Sequence, residues 1–199
     1  MPNEWFYQTF SCIGVDLIFG FTYMLHVFVP IILGFIFLLK DDLKSIRYTI
    51  FLFAVSTIIS FIIYLVFPTA APWYVSEYGF VKPDPTIPYQ NNVTAGLGRI
   101  DDLLGIKIFA TYYSFESNSF ASFPSVHVVY AVDAAICAYY RWKNRSLIVM
   151  LPYAFAILFG AIYFYHHYII DLLTGIIISF VTMLFANYIF KRRFKSKID

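Results

Sequence analysis

Charged side chains are scarce in this chain: they make up 13% of 199 residues and leave a net charge of only +2. A water-soluble domain carries about 25%, so an ordinary soluble fold is excluded. Cysteine is scarcer still. Cys12 and Cys137 stand singly, in or beside apolar runs, which excludes a disulfide framework or a Cys-x-x-Cys metal site and leaves them as packing residues. There is no internal repeat and no low-complexity tract. No basic region precedes the aromatic opening PNEWFYQTF, so that stretch reads as a retained interfacial segment and not as a cleaved signal. What the chain has in abundance is apolar surface, with 60% hydrophobic and 22% aromatic residues and a mean hydropathy of +0.71. The composition is that of an integral membrane protein, and the length allows a single domain over 1–199.

A helix needs about 20 apolar residues to cross the hydrocarbon of a bilayer. Five runs meet that length, at Val15–Leu39, Tyr48–Phe67, Ser122–Tyr140, Ser146–Tyr165 and His167–Phe190. The expected fold is therefore an all-α bundle of about five transmembrane helices, with an N-terminal interfacial segment and one long outer loop. That loop, Pro68 to Ala121, is rich in proline, glycine and asparagine, and GRIDDLLGIKIF within it reads as a short helix. Three basic clusters, at Lys40, Lys44 and Arg47, at Arg141, Lys143 and Arg145, and in the tail from Lys191, fall on one side of a five-span chain. The positive-inside rule makes that side cytoplasmic and turns the long loop, with its sequon at Asn92, to the extracytoplasmic or lumenal side. The tail KRRFKSK is explained by this topology, and nothing supports nucleic-acid binding.

Four histidines are present, and three of them lie in the short stretches FPSVH and YHHYIID. Five-span topology brings His127 and His167 to the same outer face. His167 and Asp171 are four residues apart, so on a helix the carboxylate can accept from the imidazole and fix its tautomer, leaving the other nitrogen as base or nucleophile. The alternative is a polar pair that only holds helices together. Pro124 suits a first helical turn, whose free amides favour an anion; Ser125 can donate to a phosphate oxygen or cap the helix, and His127 can carry a proton. His166 points about 100° away from His167 and reads as a wall of the same site. Asp16 and Tyr23 share a helix face, so a structural hydrogen bond is expected between them; His26 and Asp133 carry no assigned role.

FPSVH followed by HHYIID resembles the second and third signature motifs of the type 2 phosphatidic acid phosphatase superfamily, and within it the inositol phosphorylceramide synthase branch, the aureobasidin A target. DLIFGFTYMLHVFVP, FPTAAPWY and GRIDDLLGI extend the likeness over Asp16 to Gly175. The resemblance implies that His167 attacks phosphorus, that Asp171 orients it and that His127 protonates the leaving oxygen. It implies no cofactor and no metal. The hydrolytic members carry a Lys-x6-Arg-Pro motif that is absent here, and a Ser-Arg pair where this chain has Gly160 and Ala161. Phosphoryl transfer needs charge stabilisation at the transferring oxygens, which makes Arg99 and Lys107 candidate phosphate ligands.

The expected activity is a membrane lipid phosphotransferase, moving a phospho-head group such as inositol phosphate from a phospholipid donor to a lipid alcohol through a phosphohistidine. Water in place of the alcohol would make it a lipid phosphatase or pyrophosphatase. A reading of another class has His127, His166, His167 and Asp171 ligate a metal in a transporter or a structural membrane protein. The oligomeric state is left open.

Overall fold

A computed structural model of the chain describes residues 1–80, 94–115 and 120–195. Those residues are helical and joined by short turns, with a lone parallel bridge between Thr69 and Ala121 as the only extended pairing among them. Helix α1 (Pro2–Phe10) lies before the long α2 (Ile13–Leu39) and α3 (Leu43–Val66). The outer connection holds α4 (Pro72–Tyr78), a 3-10 turn at Ala95–Leu97, α5 (Gly98–Leu104) and α6 (Ile108–Phe115). Helices α7 (Val126–Trp142), α8 (Asn144–Tyr163) and α9 (Ile169–Lys195) complete the bundle. The short helix expected in GRIDDLLGIKIF is thus two, and buried Asp101 joins them by accepting the amides of Phe109 and Ala110 at 3.0 and 2.7 Å. Asn92 lies outside the described residues.

Helix α7 is the axis of the bundle and packs on α2, α3, α8 and α9. Its sequence explains the position, because Ala131, Ala134 and Ala138 are fully buried and let neighbouring backbones approach closely. The other four long helices turn Ile, Leu and Phe outward, for example Ile32, Phe61, Phe155 and Leu184. In lipid such surface is matched to its solvent, and all backbone polar groups must be paired internally, as helices alone allow here. Helices α2, α3, α8 and α9 are each long and apolar enough to cross a membrane. Helix α7 has 17 residues and falls short of the expected run.

The missing turn has a physical cause. Phe120–Phe123 runs extended along Thr69, with Thr69 N donating to Phe120 O, Ser122 N to Thr69 O and Phe123 N to Thr69 Oγ1, at 2.9–3.2 Å. Pro124 follows a cis peptide bond and lies before the cap, and not in the first turn as expected. Asp133, buried at the middle of α7, accepts from Ser56 on α3 and so links the two helices. At the far end Arg141 pairs with Asp42 at 2.6 Å, and Asp42 caps α3 through Ser45. The basic residues Lys40, Lys44, Arg47, Lys143, Arg145 and Lys191 gather at that end, opposite the histidines.

The close packing of α7 is open to test. Ala134→Leu is expected to cost about 1–3 kcal/mol through overpacking and to lower the thermal midpoint in detergent. Ile58→Leu, at a residue that is 58% exposed, is expected to leave it unchanged.

Candidate active site at the mouth of the bundle

Helix α8 ends at Tyr163, and the chain then folds back on itself. The amides of His166 and His167 both donate to Ala161 O at 3.0 Å, and Tyr165 takes a positive φ of 61°. Helix α9 begins only at Ile169, so His167 precedes the helix on which it was expected. Asp171 sits in the first turn and reaches back to accept the Tyr168 amide at 2.8 Å, as the third residue of a capping box does. The amide of Asn3, buried in α1, donates to Ile162 O and His167 O at 2.9 and 3.0 Å and ties the N-terminal helix to this turn. Packing of Phe6 and Phe10 against Phe159 seats the rest of α1 on α8.

Ser125 caps α7 by accepting from Val128 N, and its own amide donates to Asp171 O at 3.1 Å. Gly175, one turn beyond Asp171, makes this crossing possible: a Cβ there would lie 2.8 Å from Ser125 O. Tyr64 on α3 donates to Pro124 O at 2.7 Å. FPSVH is therefore pinned against the start of α9, and His127 and His167 meet although 40 residues apart in sequence.

Their tautomers follow from their partners. His167 Nδ1 lies 2.9 Å from the carbonyl of Ser122, which can only accept, so Nδ1 carries a proton, and in the neutral ring Nε2 is bare. His127 Nδ1 lies 3.0 Å from that bare Nε2 and must be the donor. The Asp171 carboxylate is 3.6 Å from His167 Nδ1, beyond a hydrogen bond, and instead accepts from Ser122 Oγ at 2.6 Å. His167, Asp171 and Ser122 are almost fully buried, whereas His127 is only partly so. His127 thus covers His167 from the accessible side.

His26 and Tyr23 also belong to this cluster. His26 donates from Nδ1 to Tyr23 O at 2.8 Å, and its ring centre is 4.2 Å from that of His127. Tyr23 stacks on His127 at 4.5 Å and on His166 at 5.1 Å. Asp16 does not bond Tyr23 as expected. Seven residues of helix separate the two by about 10 Å along α2, which puts Tyr23 among the histidines and Asp16 nearer the mouth. A single signal in the sequence pointed to His26: an ionisable residue inside an apolar run.

Gly160 lies against Tyr23, and Ala161 is fully buried, so the tyrosine occupies the space beside the Ser-Arg positions of the hydrolytic motif. Arg99 pairs with Asp16 at 3.1 Å, Asp16 also accepts from Tyr163, and the guanidinium stacks 4.1 Å over Tyr7. The 3-10 turn ahead of Arg99 rests on the turn that bears the histidines, with Gly96 N donating to Phe164 O at 3.1 Å. Lys107 stays exposed between α5 and α6. Among the described residues no lysine or arginine hydrogen-bonds a histidine of the cluster, and no three His, Cys, Asp or Glu side chains are placed to hold a metal ion.

These features define an all-α membrane protein with a histidine pair at one end of its bundle. LpxE of Aquifex aeolicus shares that fold, with a TM-score of 0.63 over 93% of each chain at 16% identity. The PAP2 superfamily model matches residues 4–185, and the chain belongs to that superfamily. It is 37% identical over 87% of its length to a phosphoinositol dihydroceramide synthase of Bacteroides thetaiotaomicron, and 29% identical over 83% to an inositol phosphorylceramide synthase of Candida albicans. The matches cover 56% and 34% of those two proteins, so the chain spans about half of the first and a third of the second.

His166 lies outside the long helices, stacked between Tyr23 and Tyr113, with Nε2 3.1 Å from the Tyr113 hydroxyl. Burial, reinforced by the nearby His167 and His26, pushes its imidazolium well below the ordinary 6.5. The unfolded chain then binds the extra proton first as the pH falls through that value, so stability present above it is lost on acidification. The thermal midpoint in detergent is expected to fall between about pH 7.5 and 5.5, and His166→Gln is expected to lessen that fall.

Proposed function

We propose that this chain is a lipid phosphotransferase that moves inositol phosphate from a phospholipid to a ceramide-type lipid alcohol. The observation that carries the proposal is the hydrogen bond from His127 Nδ1 to the bare Nε2 of His167. It pairs a nucleophile with the proton that its leaving group requires. The names borne by the relatives, phosphoinositol dihydroceramide synthase and inositol phosphorylceramide synthase, supply the head group and the acceptor class.

Donor phosphate enters between the two imidazoles and takes the place of His127 on the Nε2 lone pair. Nε2 attacks phosphorus and the bond to the diacylglycerol oxygen breaks; His127, which enters this step as the imidazolium beside the bound phosphate monoanion, passes its Nδ1 proton to that oxygen and becomes neutral. The phosphohistidine keeps its Nδ1 proton on Ser122 O, and the Asp171 carboxylate at 3.6 Å offsets its positive charge. His127, now bare at Nδ1, takes the proton of the acceptor hydroxyl as its oxygen attacks phosphorus. The P–N bond breaks, His127 is the imidazolium again and His167 is neutral with a bare Nε2.

The shortage of cations supports a diester substrate. A phosphomonoester carries about −1.5 to −2 at neutral pH, whereas a diester carries a single charge and needs fewer cations to hold it. Arg99, paired with Asp16 at 3.1 Å, is the candidate cation for that charge, with Ser125 and His166 as further walls of the phosphate site and no part for Lys107. The site faces the extracytoplasmic or lumenal side, on the strength of the basic residues gathered at the opposite end of the bundle.

Purified protein given phosphatidylinositol and ceramide is expected to form inositol phosphorylceramide and diacylglycerol, and His167→Ala to abolish both. Free inositol phosphate as the main product with ceramide present would make the protein a hydrolase, and full turnover by His167→Ala would overturn the covalent route. A membrane-impermeant thiol reagent is expected to miss a cysteine placed at Lys143 in intact cells and to label it after permeabilisation; labelling in intact cells would put the histidines on the cytoplasmic side.

A further inference from the structure

We infer that Ser122 is a positioning residue for His167, and that Asp171 acts on the nucleophile through it and not by direct contact. The inference deepens the phosphotransfer reading and rests on it for its kinetic consequences.

All three polar atoms of Ser122 are engaged. Its amide donates to Thr69 O at 3.2 Å, its hydroxyl donates to Asp171 Oδ2 at 2.6 Å, and its carbonyl accepts from His167 Nδ1 at 2.9 Å. The direction of each bond is forced, because a carboxylate oxygen and a carbonyl oxygen can only accept. Asp171 Oδ2 accepts from the Tyr168 amide as well, so the carboxylate is turned toward the cap of α9 and the Ser122 hydroxyl. A second bond, from Ser125 N to Asp171 O, fixes the two segments at their other edge.

The consequence concerns the state of the imidazole. A carboxylate bonded directly to Nδ1 would favour the imidazolium, in which Nε2 has no lone pair to offer. A neutral carbonyl fixes the same tautomer without that bias. Ser122 therefore holds the carboxylate away from Nδ1 in the resting protein and presents its own carbonyl in the same place. The carboxylate remains near enough to act on charge that develops during transfer. Ser122 is 1% exposed, and its hydroxyl is already committed to Asp171 Oδ2.

Two measurements test this. The first is kinetic: kcat and KM for Ser122→Ala, Ser122→Thr, Asp171→Asn and the double variant Ser122→Ala/Asp171→Asn, in protein that elutes as wild type from size exclusion. Ser122→Ala is expected to lower kcat by about ten- to a hundred-fold, the scale of a sub-ångström to ångström misplacement, with KM unchanged. Ser122→Thr, which keeps the hydroxyl, restores most of kcat, and Asp171→Asn costs less once Ser122 is alanine than in the wild type, the remainder being the charge effect of the carboxylate across 3.6 Å. Wild-type kcat in Ser122→Ala, or losses that multiply in the double variant, would overturn the inference. The second measurement needs no substrate and survives a variant that fails to fold: 15N NMR of histidine-labelled wild-type protein, with His167 assigned by its loss in His167→Ala. Nδ1 is expected to carry the proton of a neutral imidazole. A bare Nδ1, or an imidazolium at neutral pH, would overturn the inference. If the wild-type protein transfers no phospho-head group, the phosphotransfer reading falls, while the tautomer still decides the role of Ser122.

Discussion

The polar groups around Asp171 are buried, and they are held by partners within the protein. Asp171 shows the constraint most plainly: a carboxylate 1% exposed is tolerated where donors surround it. Those donors are the Ser122 hydroxyl and the Tyr168 amide, and the Asp171 carbonyl in turn takes the Ser125 amide. Removing the carboxylate would leave three segments without their common anchor: the start of α9, the lead into α7 and the turn that bears His167. Satisfying one buried acid thus helps to place both histidines.

Close approach of helices makes that anchoring possible. Gly175 lets the Ser125 carbonyl lie against α9, and Gly20 admits Ile100 of α5 where a Cβ would fall 2.1 Å from its Cδ1. Alanines along α7 do the same for its neighbours in the middle of the bundle. The tyrosine that fills the remaining space, Tyr23, is itself part of the cluster, stacked on two histidine rings. Packing and chemistry are served here by the same side chains, so a change in one displaces the other.

Charge is the scarce quantity throughout. Where the hydrolytic motif of the superfamily has an arginine, this chain buries Ala161 in its core and gives the carbonyl of that residue to the two histidine amides. Arg99 comes from the outer connection and is held by Asp16, Tyr7 and Tyr163 at the rim. In the proposed phosphotransfer a rim cation suits a singly charged phosphate with a large polar head group, because it leaves the interior to the two imidazoles. Burial disfavours the charged form of His166 beside them.

The class of protein, its helical runs, the histidine stretches and the clustering of basic residues at one end were all legible in the sequence, because membrane spans and charge asymmetry are local properties of the chain. So was the pairing of His127 with His167, through the parity of the spans. Three things were not legible. Ser122 gave no signal, since a serine beside a proline-containing turn is unremarkable until its carbonyl is seen facing an imidazole. His26 and Tyr23 joined the site from α2, and Asp16 found Arg99 in place of Tyr23, because partners across helices depend on rotation and depth within the bundle. The His-x-x-x-Asp spacing promised a direct contact on one helix face; the chain instead bends before α9, and the carboxylate turns to its cap and to Ser122. Residue types and spacing determined which groups are present at the mouth, while the tertiary structure alone decided which of them touch, since a hydrogen bond is made or lost over less than one ångström.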